Sequence, residues 1–345
     1  MKGLSVKKGQ AFLVENRENR YYFSGTDIAE GYLIVSDEPV YFTDMRYFVA
    51  AKEKLGASGV KCSPYFSDDD IVKELKRQGV KTLFIDYETT TVRRYEKIKT
   101  FCDEVKDGAA AILNAREVKT EEELACIVKA CDVIEKAVAD AFRAVKEGVT
   151  ETEIREVIVN KIAEYGGEGE SFDTIVAFGA NSAVPHHETG DTRLTKNSAV
   201  LIDTGAKIKG YCSDITRTAF FGTPTEEFVK AYNAVLSANA LAEEKIFSGI
   251  SGVAADKIAR DYLNEQGFGE YFTHSLGHGV GLLIHEKPYL SPKSTDVLTE
   301  NKVFTIEPGV YLEGKFGIRI EDTCVMRGGK AKRLYGDDKA LKIIG

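Results

Sequence analysis

Acidic residues in the second half of the chain fall where hairpin geometry would bring them together in pairs. Residues 198–219 contain two apolar, strand-like runs around a turn at 208–210. With the turn centred between residues 208 and 209, Asp203 lies directly opposite Asp214, with Cβ atoms ~5 Å apart on one face, where like charges destabilise a sheet. Asp203 follows an apolar run and is expected to be partly buried. The pair therefore predicts a positive group between the two carboxylates.

The same arrangement recurs in residues 303–322. A turn centred on Gly314 places Glu307 opposite Glu321. Pro308 and Gly309 are expected to bend the first strand, which leaves open a register shift by one residue. With or without that shift, the hairpin predicts a second acidic pair.

Histidine is confined to the same half of the chain. The sequence has five, His186, His187, His274, His278 and His285. Three of them fall within residues 274–285 among glycines, which disfavour a helix and let the backbone approach a ligand closely. A single histidine is more often a core or surface residue, but this cluster favours a functional site.

The charges of these side chains indicate a metal centre. Four carboxylates and one neutral imidazole carry four negative charges, which two divalent cations bridged at ~3.5–4 Å would balance. The oxygen-rich set favours Mn²⁺ or Co²⁺, with Fe²⁺ or Zn²⁺ as alternatives, over the thiolate or histidine ligands of structural zinc. A metal-free pair in which Asp203 and Asp214 share one proton is a chemical alternative. Activity in excess chelator would support that alternative.

The first third of the chain predicts a separate domain. A length of 345 residues favours two domains. Residues 1–116 alternate β-rich runs with helical spacing, the strands at 11–15, 31–36, 40–43 and 82–86 and the helices at 47–55, 69–77 and 91–101. We expect a small α/β domain without histidine or an evident metal cluster.

Residues 117–345 are expected to form the second domain. Thr120 with Glu123 predicts a capping box at a helix start, and a second box follows at 150–153. A third helix is expected to begin near Thr223, with Pro224 at its first position. Shifting the sequence by 101 residues aligns 148–166 with 249–267. This offset predicts two pseudo-equivalent helix–helix–strand halves that pack as one helix-covered sheet, with a site between them.

Composition excludes some function classes. The net charge of -8 provides no basic field, so no nucleic acid partner is expected. No apolar run approaches the ~18 residues of a membrane helix, and the first residues do not resemble a signal peptide. The scattered cysteines, including Cys126 and Cys131, indicate reduced thiols rather than a redox or metal site. We therefore expect a cytoplasmic protein without a membrane partner.

Six motifs together carry a resemblance to a known family. They are NSAVPH at 181–186, IDTG at 202–205, SDITR at 213–217, HxxxHGxGxxxHE at 274–286, TIEPG at 305–309 and GIRIED at 317–322. With these motifs the chain resembles the M24 metallopeptidases, specifically the aminopeptidase P and prolidase branch. The resemblance covers the whole chain and implies an α/β fold, with a small N-terminal creatinase/prolidase-like domain followed by a pseudo-symmetric "pita-bread" catalytic domain.

The resemblance also implies roles for individual residues. It implies five metal ligands, of which Asp214 and Glu321 would bridge two cations, the full set being Asp203, Asp214, His278, Glu307 and Glu321. His186 would lie near the scissile nitrogen, His285 would polarise the scissile carbonyl, and His274 would contact the substrate. Arg319 would support the carboxylates. His187 has no assigned role and is expected to be an exposed loop residue, whereas Phe178 departs from the family pattern and is expected to reshape the substrate pocket.

The implied activity is hydrolysis of the bond between an N-terminal residue and a following proline by a homodimeric Xaa-Pro aminopeptidase. Glu307 would take a proton from the attacking water and pass it to the leaving nitrogen. A dipeptide-only prolidase shares every implied ligand and remains an alternative. Methionine aminopeptidase needs no domain like residues 1–116, and creatinase-type enzymes work without this ligand set. A non-catalytic binding module of the same fold typically lacks ligands that are all present here.

Overall fold

The computed structural model describes residues 3–56 and 58–345. The chain divides into two compact units, with the division between Arg116 and Glu117. Each unit has its own sheet and its own buried apolar cluster.

The described part of the first unit has six strands, β1 (Gln10–Val14), β2 (Tyr32–Val35), β3 (Val40–Thr43), β4 (Lys61–Pro64), β5 (Thr82–Ile85) and β6 (Glu104–Asp107). They form one mixed sheet in the order β4-β3-β2-β1-β5-β6. The helices are α1 (Arg17–Ser24), α2 (Met45–Leu55), α3 (Asp68–Arg77), α4 (Val92–Ile98) and α5 (Ala109–Glu117). Leu13, Ile34 and Leu83 of the sheet are buried with Ile71 and Leu75 of α3, which gives this unit its core.

The helices of the second unit form two pairs. They are α6 (Glu121–Ala144), α7 (Glu151–Glu164), α8 (Glu226–Lys245) and α9 (Gly252–Glu265). The shorter helices α7 and α9 begin and end 101 residues apart, as the sequence offset predicts. Both predicted capping boxes are present at the starts of α6 and α7. The third helix start was predicted two residues too early, because Thr225 rather than Thr223 caps α8 by accepting from the Phe228 amide at 3.2 Å.

The strands of the second unit are β7 (Ile175–Phe178), β8 (Ser198–Thr204), β9 (Lys207–Ile208), β10 (Tyr211–Cys212), β11 (Ile215–Phe221), β12 (Gly277–Gly279), β13 (Glu286–Leu290), β14 (Val303–Ile306), β15 (Gly309–Leu312), β16 (Phe316–Arg319), β17 (Glu321–Arg327), β18 (Lys330–Arg333) and β19 (Lys342–Ile344). Its main sheet follows the order β13-β12-β14-β17-β11-β8-β7, with β18 beside β17 and β19 beside β11. Two small separate ladders pair β9 with β10 and β15 with β16. Two 3₁₀ helices span Gly179–Ala183 and Gly269–Tyr271. Four of the nine predicted site residues lie on strands, namely Asp203 on β8, His278 on β12, Arg319 on β16 and Glu321 on β17, and the other five lie on the connections between elements.

The first acidic hairpin has a different register from the predicted one. Lys209 and Gly210 both have positive φ, so the turn is centred between them, one residue later than expected. Asp203 consequently pairs with Thr216, not with Asp214. Asp214 instead follows Ser213, whose carbonyl oxygen would lie 1.9 Å from any Cβ added to Gly205. Only glycine allows the two strands to approach this closely, and the approach keeps Asp214 near the site.

The second acidic hairpin has the predicted register. Ile306 pairs with Asp322 on one side of the bend, and Gly309 pairs with Arg319 on the other. Both pairings are symmetric about Gly314, so the bend at Pro308 introduces no slip. Glu307 and Glu321 therefore face each other as predicted.

One buried apolar cluster of the described residues joins α8 and α9 to this sheet. Phe228 and Val235 of α8 are fully buried together with Leu263 of α9 and with Phe304 and Ile306 of β14. Buried aliphatic and aromatic side chains of this kind contribute ~1.5–3 kcal/mol each by leaving water. In the part of the chain that the structure describes, no helix has the length and apolar character that crossing a membrane requires.

Candidate metal centre

All nine predicted site residues line one cleft in the second unit, which has a volume of about 520 Å³. The predicted metal ligands at its wall are Asp203, Asp214, His278, Glu307 and Glu321, and the other four residues are His186, His274, His285 and Arg319. Phe178 is not among the described lining residues. Its ring is buried at the end of β7, so the prediction that it reshapes the pocket was wrong.

Three neighbouring strands bring two of the acids side by side. Thr216 of β11 pairs with Asp203 of β8 on one flank and with Glu321 of β17 on the other. Directly paired residues of antiparallel strands project to the same face, so these three side chains form one row. The central Thr216 hydroxyl donates to Glu321 Oε2 at 2.6 Å. A small side chain between the two acids leaves space above the row.

Arg319 is the cation of this cleft. Its Nη2 donates to Asp203 Oδ2 at 2.6 Å, and its Nε donates to the Thr216 hydroxyl at 3.0 Å. Its Nη1 donates to the Tyr311 hydroxyl at 2.6 Å. The guanidinium thus has contacts in all three directions and fixes one side of the acidic row.

His278 presents an unprotonated nitrogen to the carboxylates. Its Nδ1 lies 3.1 Å from the Gly279 carbonyl oxygen, which only accepts, so Nδ1 carries the proton of the neutral ring. Burial, with His285 nearby, lowers the pKa of His278 to about 3. Nε2 then offers a lone pair at 3.3 Å from Glu307 Oε1 and 3.6 Å from Asp214 Oδ2. Lone pairs facing one another at these distances fit a cation between them.

The acids are held as an unbalanced cluster. Burial and the neighbouring carboxylates raise the pKa values of Asp214 and Glu321 well above their ordinary values. Burial raises the pKa of Glu307 to about 8, although Arg319 opposes the shift. One arginine does not neutralise four carboxylates, and a buried charge without a partner is costly. The cluster is electrostatically incomplete without added positive charge.

Two oxygens of this cluster have no hydrogen-bond donor. Asp203 Oδ1 and Asp214 Oδ1 are buried and have no partner among the described residues. Buried polar atoms are nearly always satisfied, so such atoms require an explanation. Ligand atoms of Asp214, His278 and Glu321 lie within 4.8 Å of one another. Orphaned carboxylate oxygens beside a histidine lone pair fit divalent cations.

Sequence reasoning missed Tyr311, which connects two predicted site residues. His274 Nδ1 lies 2.8 Å from the Ser275 carbonyl oxygen, so its Nε2 accepts a hydrogen bond from the Tyr311 hydroxyl at 2.9 Å. The same hydroxyl accepts from Arg319. Burial lowers the pKa of His274 to about 4, which keeps this ring neutral at pH 7. The available signal was the Glu307 hairpin, in which Tyr311 pairs with Gly317, two residues before Arg319.

His187 was predicted to be an exposed loop residue, but the structure half-buries it. Its Nε2 lies 2.9 Å from Oε2 of Glu151, a fully buried carboxylate. The adjacent His186 is exposed in the cleft. Neighbouring histidines therefore have different environments.

Comparison with known proteins identifies the family. Residues 125–328 match Metallopeptidase family M24, and residues 2–118 match the Creatinase/Prolidase N-terminal domain. The chain belongs to metallopeptidase family M24 and is a peptide hydrolase. Divalent metal ions are the cofactors that this family implies.

Individual relatives match over nearly their whole lengths. The chain is 37% identical to the Xaa-Pro dipeptidase of Pyrococcus horikoshii over 96% of this chain and 94% of that protein. The structure of an Xaa-Pro dipeptidase from Bacillus anthracis superposes with a TM-score of 0.92 at 32% identity, covering 97% of this chain and 95% of the other. An X-Pro aminopeptidase from Thermotoga maritima gives a TM-score of 0.90 at 33% identity over 97% of both chains. These matches confirm the α/β fold with a small first domain and a larger second one.

Proposed function

We propose that this protein is an Xaa-Pro dipeptidase that hydrolyses the bond before proline. The observation that carries the proposal is the cluster of four carboxylates and one unprotonated imidazole in a single cleft of an M24 chain. Several relatives and similar solved structures are named Xaa-Pro dipeptidase or prolidase. Because of these names we propose a dipeptidase in preference to the aminopeptidase that the sequence alone favoured.

The proposed ligands are Asp203, Asp214, His278, Glu307 and Glu321, which would together hold two divalent cations. We expect Mn²⁺ or Co²⁺, with Fe²⁺ or Zn²⁺ as alternatives, because oxygen ligands dominate the set. Such ions polarise a carbonyl and lower the pKa of water from 15.7 to about 7. The orphaned oxygens of Asp203 and Asp214 support this assignment.

Glu307 is the proposed proton carrier. Its Oε1 accepts from the Thr305 hydroxyl at 3.0 Å, and that hydroxyl accepts from the His278 amide, so the carboxylate is oriented by its own strand. In the proposed reaction Glu307 takes a proton from the attacking water and delivers it to the proline nitrogen. A positioned general base or acid contributes ~10²–10⁴-fold to a rate.

The histidines are proposed to hold the substrate. Burial lowers the pKa of His285, so at pH 7 its ring is neutral and has one N–H to donate to the oxygen of the scissile carbonyl. We propose that His186 lies near the scissile nitrogen and that His274, which Tyr311 aligns, contacts the substrate. Arg319 holds Asp203 in its orientation.

One observation favours a second candidate, an aminopeptidase acting on longer Xaa-Pro peptides. A dipeptide brings its C-terminal carboxylate into the cleft, where a cation would be the natural partner. Arg319 is the only arginine or lysine among the described residues that line the cleft. Its three guanidinium nitrogens already contact Asp203, Thr216 and Tyr311. A longer peptide would place that carboxylate outside the cleft.

One peptide series tests both candidates. Metal-stripped protein should hydrolyse neither an Xaa-Pro dipeptide nor its C-terminal amide, and restoring Mn²⁺ or Co²⁺ should restore activity. A dipeptidase would prefer the free dipeptide, whereas an aminopeptidase would accept the amide and Xaa-Pro-Xaa-Xaa peptides equally well. Full activity in excess chelator would contradict the metal assignment.

We also propose that residues 1–116 form the N-terminal domain and residues 117–345 the catalytic domain of a cytoplasmic homodimer. The compact units that meet at Arg116 and Glu117 in sequence support the boundary. The dimer rests on resemblance to the family alone. Light scattering should give twice the mass of the 345-residue chain, and a monomer mass would contradict it.

A further inference from the structure

A buried carboxylate outside the acidic cluster organises the segment that carries His186. Glu151 is the first residue of α7 and its side chain is fully inaccessible to solvent. None of the proposed chemistry uses it. A carboxylate at this depth needs several donors, because leaving it unsatisfied would be costly.

The donors to Glu151 come from both ends of one segment. Oε1 accepts from the Phe178 amide and from Asn181 Nδ2, both at 2.9 Å. Oε2 accepts from the Gly190 amide at 3.1 Å and lies 2.9 Å from His187 Nε2. A carboxylate only accepts, so His187 Nε2 carries a proton and donates. Both ends of the segment 178–190 are therefore hydrogen-bonded to the one carboxylate of Glu151.

His186 depends on this segment for its position. Its ring lines the cleft beside Pro185. Within the described part of the chain the His186 ring has no hydrogen-bond partner, whereas the His274 ring is held at both nitrogens. The orientation of His186 must then come from its backbone, which the neighbouring His187 ties to Glu151.

We propose that Glu151 is a positioning residue that sets the His186 ring in the cleft by holding His187. The inference rests on the proposed function, in which His186 serves the substrate. His187, which had no role from sequence, connects the buried carboxylate to the cleft. Loss of the contact should move His186 and leave the acidic cluster as it is.

Histidine NMR tests the proposal without relying on activity. Five histidines give five ring signals in protein labelled at histidine Cε1, and the His186 signal is the one missing from His186→Ala. In Glu151→Gln the His186 signal should shift and broaden, while those of His274 and His278 stay in place. The matched control is Glu153→Gln, an exposed residue two positions along the same helix whose capping box tolerates Gln. An unchanged His186 signal in Glu151→Gln would overturn the proposal.

Kinetics provide the second arm. Glu151→Gln should lower kcat/KM for an Xaa-Pro peptide about tenfold with metal content unchanged, because a small displacement of an orienting group costs this much. Combined with His186→Ala it should cause no further loss. Multiplying effects in the double variant would show a general structural role and overturn the proposal.

Misfolding of the variant and failure of the proposed function can each be distinguished from failure of this proposal. If Glu151→Gln does not fold, His187→Ala, which removes the same contact from the loop side, should shift the His186 signal in the same way, and an unmoved signal would overturn the proposal. If the unmodified protein loaded with Mn²⁺ cleaves no Xaa-Pro peptide, the proposed function fails, but the NMR result still decides whether Glu151 positions His186.

Discussion

Adjacent residues Glu321 and Asp322 belong to two acidic clusters with opposite electrostatics. Glu321 projects into the cleft, where Arg319 is the only guanidinium contacting the carboxylates among the described residues that line it, and burial raises its pKa well above its ordinary value. Burial would also raise the pKa of Asp322, but Arg217, Lys339 and Arg333 lower it well below its usual range. One strand thus carries a charge-deficient cluster on one face and a charge-matched cluster on the other.

The contacts of Asp322 show what a structural acidic site looks like. Its Oδ1 accepts from Arg217 and Arg333 and its Oδ2 from Lys339, each at 2.8 Å. Asp337 pairs with Arg217 in turn. This cluster supplies its own cations. The cleft does not, and that difference supports the proposal that the cleft binds divalent cations.

The largest effect should come from the proton carrier in the charge-deficient cluster. Glu307→Gln should lower kcat by about 10²–10⁴-fold because the amide cannot accept and release the proton. Metal content measured by plasma mass spectrometry separates this from loss of the ions. Near-full activity with metals still bound would remove Glu307 from this role.

The charge-matched cluster should dominate stability. In metal-free protein Asp322→Asn should lower the free energy of unfolding by about 3–5 kcal/mol, because Arg217, Arg333 and Lys339 lose their shared partner. Glu321→Gln should change it by no more than about 1 kcal/mol, since a repelled carboxylate is removed. Urea unfolding of both variants measures the difference. Equal destabilisation would break the distinction between the two clusters.

Stabilisation by metal should depend on pH. The folded, metal-free protein has a Glu307 pKa of about 8 against an ordinary value of 4.5. Between these values the folded state retains a proton that the unfolded state has lost, so the stability of metal-free protein falls as pH rises through this window. The increase in Tm caused by Mn²⁺ should therefore be larger at pH 8 than at pH 5. If Mn²⁺ raised Tm by the same amount at both pH values, the result would contradict the conclusion that the cluster lacks positive charge.

A smaller effect is expected where the cleft depends on an oriented hydroxyl. Tyr311→Phe removes the group that accepts from Arg319 and donates to His274. A lost hydrogen bond of ~1 kcal/mol corresponds to roughly a fivefold lower kcat/KM. Tyr262→Phe on α9, outside the described cleft lining, is the control and should match the unmodified protein. Identical kinetics for the two variants would show that Tyr311 positions neither partner.

The comparison also explains what sequence predicted well. Glu307 and Glu321 were paired correctly because Gly314 fixes the turn and both flanking ladders keep its register. All nine predicted residues converge on one cleft. The 101-residue offset of α7 and α9 followed from repeated capping and apolar spacing.

The errors have local physical causes. The pairing of Asp203 failed because Lys209 adopts positive φ, which a sequence pattern does not favour for lysine. Strand β6 was missed because its four residues, mostly charged, lack apolar alternation. The Glu151–His187 contact joins positions far apart in sequence, and no local pattern predicts it.

The most direct test of the central claim is anomalous X-ray diffraction at the manganese edge from crystals grown with Mn²⁺. We expect two peaks ~3.5–4 Å apart in the cleft, enclosed by Asp203, Asp214, His278, Glu307 and Glu321. Diffraction showing no anomalous peak among these side chains at saturating Mn²⁺, Co²⁺ or Zn²⁺ would contradict the assignment.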